Sequence, residues 1–173
     1  MIPDFDENGN LPPGTFRPSL TEFKRRFVEE FSLSTTRAAL YINYIAYCGL
    51  LCSYDVASRH WVDGSYTTAK SDPQDIDMVI HLDGEKFSRI PDPFEFRMNF
   101  NPDDIHALYD LHTFIILHYP EGDPRENFQR KQCEKCKRWF TRDRNKNQKG
   151  IIEFDMVSEQ RVGEFRAEAM GDG

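Results

Sequence analysis

The sequence predicts one α/β domain of the α+β kind, a small mixed sheet of about four strands backed by helices. Three observations predict it. Four short apolar segments with strand character are separated by polar turns, three longer segments carry helical periodicity, and Gly, Pro, Asn and Asp cluster between them. The 173 residues are 39% hydrophobic and 29% charged, which is too apolar for a disordered chain. A chain of this length buries about 70% of its extended surface, enough for a real core.

Residues 1–18 hold Asn8-Gly9 and Pro12-Pro13-Gly14 and read as an ordered N-terminal arm lying on the domain. Ser19-Leu20-Thr21-Glu22 has the form of a capping box and opens a helix to about Phe31. A second helix is expected over 36–54. Tyr41, Ile45, Cys48 and Cys52 share one face, with Leu40, Tyr44, Tyr47 and Leu51 beside it, so most of its surface should be buried. Strands are expected at 59–63, 75–82, 110–118 and 150–157. Residues 83–100 read as a loop after a short helix, because Pro91 and Pro93 oppose regular structure. Asn101-Pro102-Asp103-Asp104 starts a short helix with a capping Asn, a first-position Pro and acids in the first turn. Asp123-Pro124 opens a longer helix to about Phe140, and 143–149 is a polar turn. The domain is expected to span 19–160, with 161–173 a polar tail.

No run of 18 apolar residues occurs, so no membrane span is expected. The acidic N-terminus lacks an apolar stretch of signal-peptide length. The four cysteines are therefore expected as free thiols in a reducing cytoplasm. The formal charge is -7, which opposes a general nucleic-acid binder. Its distribution is uneven. Residues 130–149 hold nine basic and two acidic side chains, leaving 13 basic and 27 acidic for the rest, +7 against -14. One patch can attract an anion that the remainder repels. Most of that patch reads as a solvated helix face. Lys149, between a turn and a strand, and Lys70 are the better phosphate candidates.

The informative segment is Trp61-Val62-Asp63-Gly64-Ser65, followed after nine intervening residues by Asp75-Ile76-Asp77-Met78. Gly64 permits close approach of the backbone to a ligand. Ser65 adds a hydroxyl and an amide for phosphate oxygens, and a short helix after it would aim its N-terminus at the same anion. Asp75 and Asp77 alternate with apolar residues, so both carboxylates face one side of the sheet. Paired hard oxygens suit Mg2+ or Mn2+, and such ions serve phosphoryl or nucleotidyl transfer.

These residues resemble the signature of the nucleotidyltransferase superfamily related to DNA polymerase beta: an apolar residue, Gly-Gly or Gly-Ser, a spacer near ten residues, then Asp-x-Asp between apolar residues. Asp63 departs from it at a position that is often apolar. A closer resemblance, to bacterial and phage nucleotidyltransferase-like proteins of unknown function, rests on Gly9-Asn10-Leu11-Pro12-Pro13-Gly14, Asp63-Gly64-Ser65-Tyr66 to Lys70, Pro73, Tyr119-Pro120-Glu121-Gly122, Trp139, Phe140, Asp143-Arg144 and Lys149-Gly150-Ile151. The resemblance implies a nucleotidyltransferase fold and a nucleoside triphosphate substrate. It also implies a third carboxylate on the next strand beside Asp75 and Asp77. Asp110 is the expected residue. A shifted register would put His112 there, which suits magnesium poorly and either argues against catalysis or favours manganese. Asp155, with Glu153 on the same face, is the remaining candidate. The acceptor implied is a protein, a small molecule or a tRNA end. The alternative is a binding protein on the same fold, such as an antitoxin facing a cognate toxin or a phage-defence component.

Cys133-x-x-Cys136 has metal-ligand spacing, but a zinc site needs two more ligands, and Cys48 and Cys52 read as core. The scattered histidines form no catalytic triad by themselves. Tyr66 is a candidate for stacking on a base.

Overall fold

The computed structural model describes residues 1–90 and 99–171. Its sheet has five strands. β1 (Thr15–Phe16) runs parallel to β5 (Ile151–Asp155), which pairs antiparallel with β2 (Ala57–Asp63). β2 pairs antiparallel with β3 (Ile76–Asp83), and β3 runs parallel to β4 (Leu111–His118) at the far edge. The mixed α/β architecture is the expected one. The additional strand is the end of the N-terminal arm, whose two residues are too few to leave an alternating pattern.

The helices follow from their caps and apolar stripes. Ser19 Oγ accepts from Glu22 N at 3.0 Å and opens α1 (Leu20–Phe27). The Glu22 carboxylate does not close a capping box on Ser19; it accepts from Ile2 N and tethers the arm. A 3-10 turn, Glu29–Phe31, follows, then α2 (Arg37–Tyr54). After β3 come α3 (Gly84–Phe87) and α4 (Pro102–Tyr109), the latter capped by Asn101 with Pro102 at its first position. Pro91 and Pro93 lie outside the described residues. α5 (Glu126–Phe140) follows β4, and α6 (Glu159–Met170) follows β5.

Alternation along the strands divides the domain. Val62, Ile76, Met78, Ile80, Ile152 and Phe154 face α1, α2 and α6 in a core rich in rings. Trp61, Val79, Ile116 and Ile151 face Cys136 and Phe140 of α5 on the other side. The expected polar tail is instead α6. Phe165 is fully buried against Tyr44, Phe154 and His60. Glu168 accepts from Tyr41 at 3.1 Å and from Lys24 at 2.7 Å, and Arg166 donates to the Cys52 carbonyl. Phe165, with partly buried Val162 beside it, and a set of polar contacts hold this helix, so its sequence carries no broad stripe to announce it.

The arm is stitched to the β2–β3 crossing and to the turn before β5. Gly9 O accepts from Ala69 N at 2.8 Å, Leu11 O from Gly150 N at 2.9 Å, and Asn10 Nδ2 donates to Asp143 at 3.1 Å. A Cβ at Gly150 would overlap the Pro12 carbonyl oxygen, so only glycine lets the arm cross there.

Three buried polar side chains set testable terms for stability. Arg37 is fully buried and donates to the carbonyls of Phe27, Tyr66, Thr68, Lys70 and Ser71. Arg37→Lys keeps the charge but cannot span this fork, so a loss of at least ~3 kcal/mol is expected in chemical denaturation. His60 and His81 are buried, and desolvation pulls both down to about 3. The unfolded chain takes up these protons near pH 6.5 and the folded chain does not. Stability should therefore be complete above pH 6.5 and fall as the pH drops toward 3, by ~1.4 kcal/mol per pH unit for each ring. His60→Phe should remove one ring's share of that slope in urea titrations at pH 7 and pH 4.5.

Candidate functional site

β2 delivers Asp63, and the chain then turns at Gly64, which has φ 78°. Residues 64–68 form hydrogen-bonded turns: Thr68 N and Thr68 Oγ1 both donate to Ser65 O, and Thr67 Oγ1 donates to Asp63 at 3.2 Å. The short helix expected after Ser65 is absent, so no helix N-terminus is aimed from this loop. The chain crosses to β3 through the segment clamped by Arg37. Asp72 anchors the end of that crossing by accepting from Thr35 N, Thr35 Oγ1 and Ser34 Oγ.

Strand register creates a polar row across the sheet. Asp63 lies opposite Asp77, and Asp77 lies opposite His112. All three project toward the α5 side. A Cβ at Gly64 would overlap the Asp77 carboxylate. The missing side chain is thus what lets that acid rest against the corner before Ser65. His112 Nδ1 is 3.1 Å from Asp75 Oδ2 and 3.8 Å from Asp77 Oδ1. The His106 ring of α4 stacks on His112 with centroids 4.1 Å apart. Burial first, then the neighbouring Asp75, raises Asp77 above the usual carboxylate range, while His112, Lys149 and Arg144 oppose the rise.

Gly64, Ser65, Asp75 and Asp77 are therefore brought together. Asp110 adjoins them through its backbone, its carbonyl accepting from Ile76 N at 3.2 Å, but its carboxylate is not shown joining theirs. It does not begin β4; it is the left-handed cap of α4 at φ 55°, and its carboxylate accepts from Asn43 at 3.4 Å. The register puts His112 in the row instead. Asp155 lies opposite Arg59, at the far end of β5, and caps Val157 N and Ser158 N. Glu153 accepts from Trp61 Nε1 at 2.8 Å and pairs with Arg17.

The expected phosphate lysines separate. Lys70 is exposed on the loop. Lys149 is buried, its Nζ 2.9 Å from Asp63 Oδ1, and both side chains are less than a tenth exposed. Burial pushes Asp63 up, and Lys149 pulls it back. This ion pair and Arg37 are the features that sequence reasoning missed. The only hint of Asp63 was a charged residue where the pattern is usually apolar. Tyr66, fully buried against Phe23 and Phe27, cannot stack on a ligand. Cys133 and Cys136 lie against the second core, and all four thiols are free.

With this geometry in place, comparison decides the family. The profile of a family of unknown function, DUF6932, matches residues 3–155. The chain belongs to that family. No curated protein and no solved structure matches it. The matched span contains the arm, the Gly64–Ser65 corner, Asp75, Asp77, His112 and Lys149, so the whole row lies within the family's extent.

Among the described residues, no group of three or more His, Cys, Asp or Glu side chains is arranged to hold a metal ion by itself, and no helix is long and apolar enough to cross a membrane. Magnesium commonly takes one or two carboxylates and completes its shell with substrate phosphates and water. Asp75 and Asp77, neighbouring carboxylates about a quarter to a third exposed, are of the donor type that an ion held in that shared way would need. They do not provide the third acid of a two-ion centre.

The Asp63–Lys149 pair yields a stability test. Lys149→Met leaves a buried carboxylate without its counter-charge and is expected to cost ~3–5 kcal/mol in urea denaturation at pH 7. Combining it with Asp63→Asn should recover a large part of that loss, because the stranded charge is then gone.

Proposed function

We propose that this chain binds a metal-chelated nucleoside triphosphate at the Gly64–Ser65 corner and transfers its nucleotidyl group to a hydroxyl on a protein, a small molecule or a tRNA end. One observation carries the reading: the Asp77 carboxylate occupies the space that a side chain at residue 64 would fill, so corner and acid pair form one site. The order of elements, α2–β2–turn–β3–α3–α4–β4–α5 around a mixed sheet, supports it. The overall negative charge favours a protein or small-molecule acceptor over tRNA.

In this reading Ser65 and the turn amides receive the phosphates, and Asp75 and Asp77 would hold Mg2+ or Mn2+ jointly with them. The bound ion supplies charge neutralisation at the reacting phosphate. His112, whose Nδ1 lies 3.1 Å from Asp75, would take the proton of the attacking hydroxyl. The acceptor oxygen bonds to the α-phosphorus, the bond from that phosphorus to the bridging oxygen breaks, and pyrophosphate leaves.

A second reading has its own observation. A histidine fills the row where a third acid would complete a two-ion centre. That favours a catalytically weak or inactive binding protein, such as an antitoxin or phage-defence component that neutralises a partner by protein contact.

Incubation with α-labelled triphosphates and Mg2+ or Mn2+ separates the two. Transfer of label to the chain or to a partner is expected, and Asp75→Asn or Asp77→Asn should lower it about a hundredfold or more. Label that persists equally in both variants would sink the enzymatic reading. Triphosphate binding without transfer, with partner neutralisation intact in Asp75→Asn, would select the second.

A further inference from the structure

We propose that Phe114 and Trp139 form a stacking platform for the base of the nucleotide whose phosphates occupy the Gly64–Ser65 corner; the inference rests on the nucleotide reading above and extends it to the base. Trp139 is 63% exposed and Phe114 36% exposed, an unusual position for two large rings already in contact. Their centroids are 5.7 Å apart and their planes cross at 70°. Phe140 packs beneath Phe114 at 5.9 Å, edge to face, and is itself buried. Phe114 is thus held from below while the upper ring stays open to solvent.

Position links these rings to the corner. Phe114 follows His112 by two residues on β4, so both project toward the α5 side. It lies opposite Val79, as His112 lies opposite Asp77. One dipeptide, ~7 Å, separates the ring from the polar row, and two strand spacings, ~10 Å, separate β4 from β2. That diagonal matches the reach of an extended nucleoside triphosphate. Exposed Arg138 precedes Trp139, exposed Arg142 follows it by three residues, and Arg144 lies in the turn beyond. The rings are flanked by cations, and the patch is only two rings wide. A planar base joined to an anionic tail fits this chemistry better than the broad apolar core of a protein interface does. Stacking accepts any base, so the platform confers affinity with little choice among bases.

Trp139 also reports on the site. The chain has two tryptophans, and Trp61 is 4% exposed. ATP and GTP with Mg2+ should quench the exposed fluorophore. Tripolyphosphate with Mg2+ should bind in calorimetry without quenching. Trp139→Ala should weaken ATP binding about five- to a hundredfold and leave tripolyphosphate binding unchanged, while Trp139→Phe should retain most of the ATP affinity. Circular dichroism confirms that each variant is folded. Unchanged ATP affinity in both Trp139→Ala and Phe114→Ala overturns the platform while sparing the phosphate site. Absence of any tripolyphosphate binding by the wild-type chain removes the phosphate site itself, and the platform with it.

Discussion

The buried guanidinium of Arg37 is the constraint on which the site depends. Among the described residues no carboxylate forms an ion pair with it. Its charge is spread over five carbonyl dipoles and the faces of Phe31 and Tyr66, 3.7 Å and 5.1 Å away. Burial lowers its pKa to about 10, so it stays protonated at neutral pH. A buried cation is tolerable here because its donors are matched. Four of the five carbonyls belong to residues 66–71, the crossing from β2 to β3. The guanidinium thereby sets where the Gly64 turn leaves and where Asp75 enters. The arm adds one bond from outside, Ala69 N to Gly9 O. A loop of turns, with no helix of its own, becomes a fixed wall.

The two faces of the sheet are built on different principles. Toward α1, α2 and α6 the core is aromatic and its few polar groups are bonded inward, as Tyr44 is to His60 at 2.8 Å. Toward α5 a single helix covers the sheet, and the cover gives out at the row of Asp63, Asp77 and His112. Asp63, nearest the centre, is neutralised by buried Lys149, while Asp75 and Asp77 toward the edge keep about a quarter to a third of their side-chain surface open. Burial decreases along the row as the need for an internal counter-charge decreases.

That gradient explains what the sequence made legible. Asp75 and Asp77 announced themselves because alternation with Ile76 and Met78 fixes their face. Strand-to-turn punctuation marked Gly64–Ser65 for the same reason, since both signals are local. The third member of the row was not local. Asp110 and His112 are two residues apart and share a strand face, so which of them lies opposite Asp77 is a matter of parallel register: Ile76 pairs with Leu111, which sets His112 opposite Asp77, while Asp110 is taken up as the left-handed cap of α4. Lys149 looked available because a lysine after a polar turn is usually solvated; only packing against Asp63 shows otherwise. α6 escaped for a related reason, being held by Phe165 and specific polar bonds to α1 and α2.

The row's own compensation bears on how a ligand would enter it. A cluster of three carboxylates facing one another repels itself until a cation arrives, so such a site is assembled by its metal. Here Lys149 balances Asp63 and His112 Nδ1 lies nearer to Asp75 than to Asp77, the acid raised by burial and by its neighbour. On the proposed reading, a bare anion would meet Asp77 with its charge only partly offset by His112, Lys149 and Arg144. A phosphate chain that brings its own divalent cation would instead place that cation against this acid, with its remaining charge toward Ser65. Such a site would favour an anion–cation complex over an anion alone, through the carboxylate that Gly64, by lacking a side chain, makes room for.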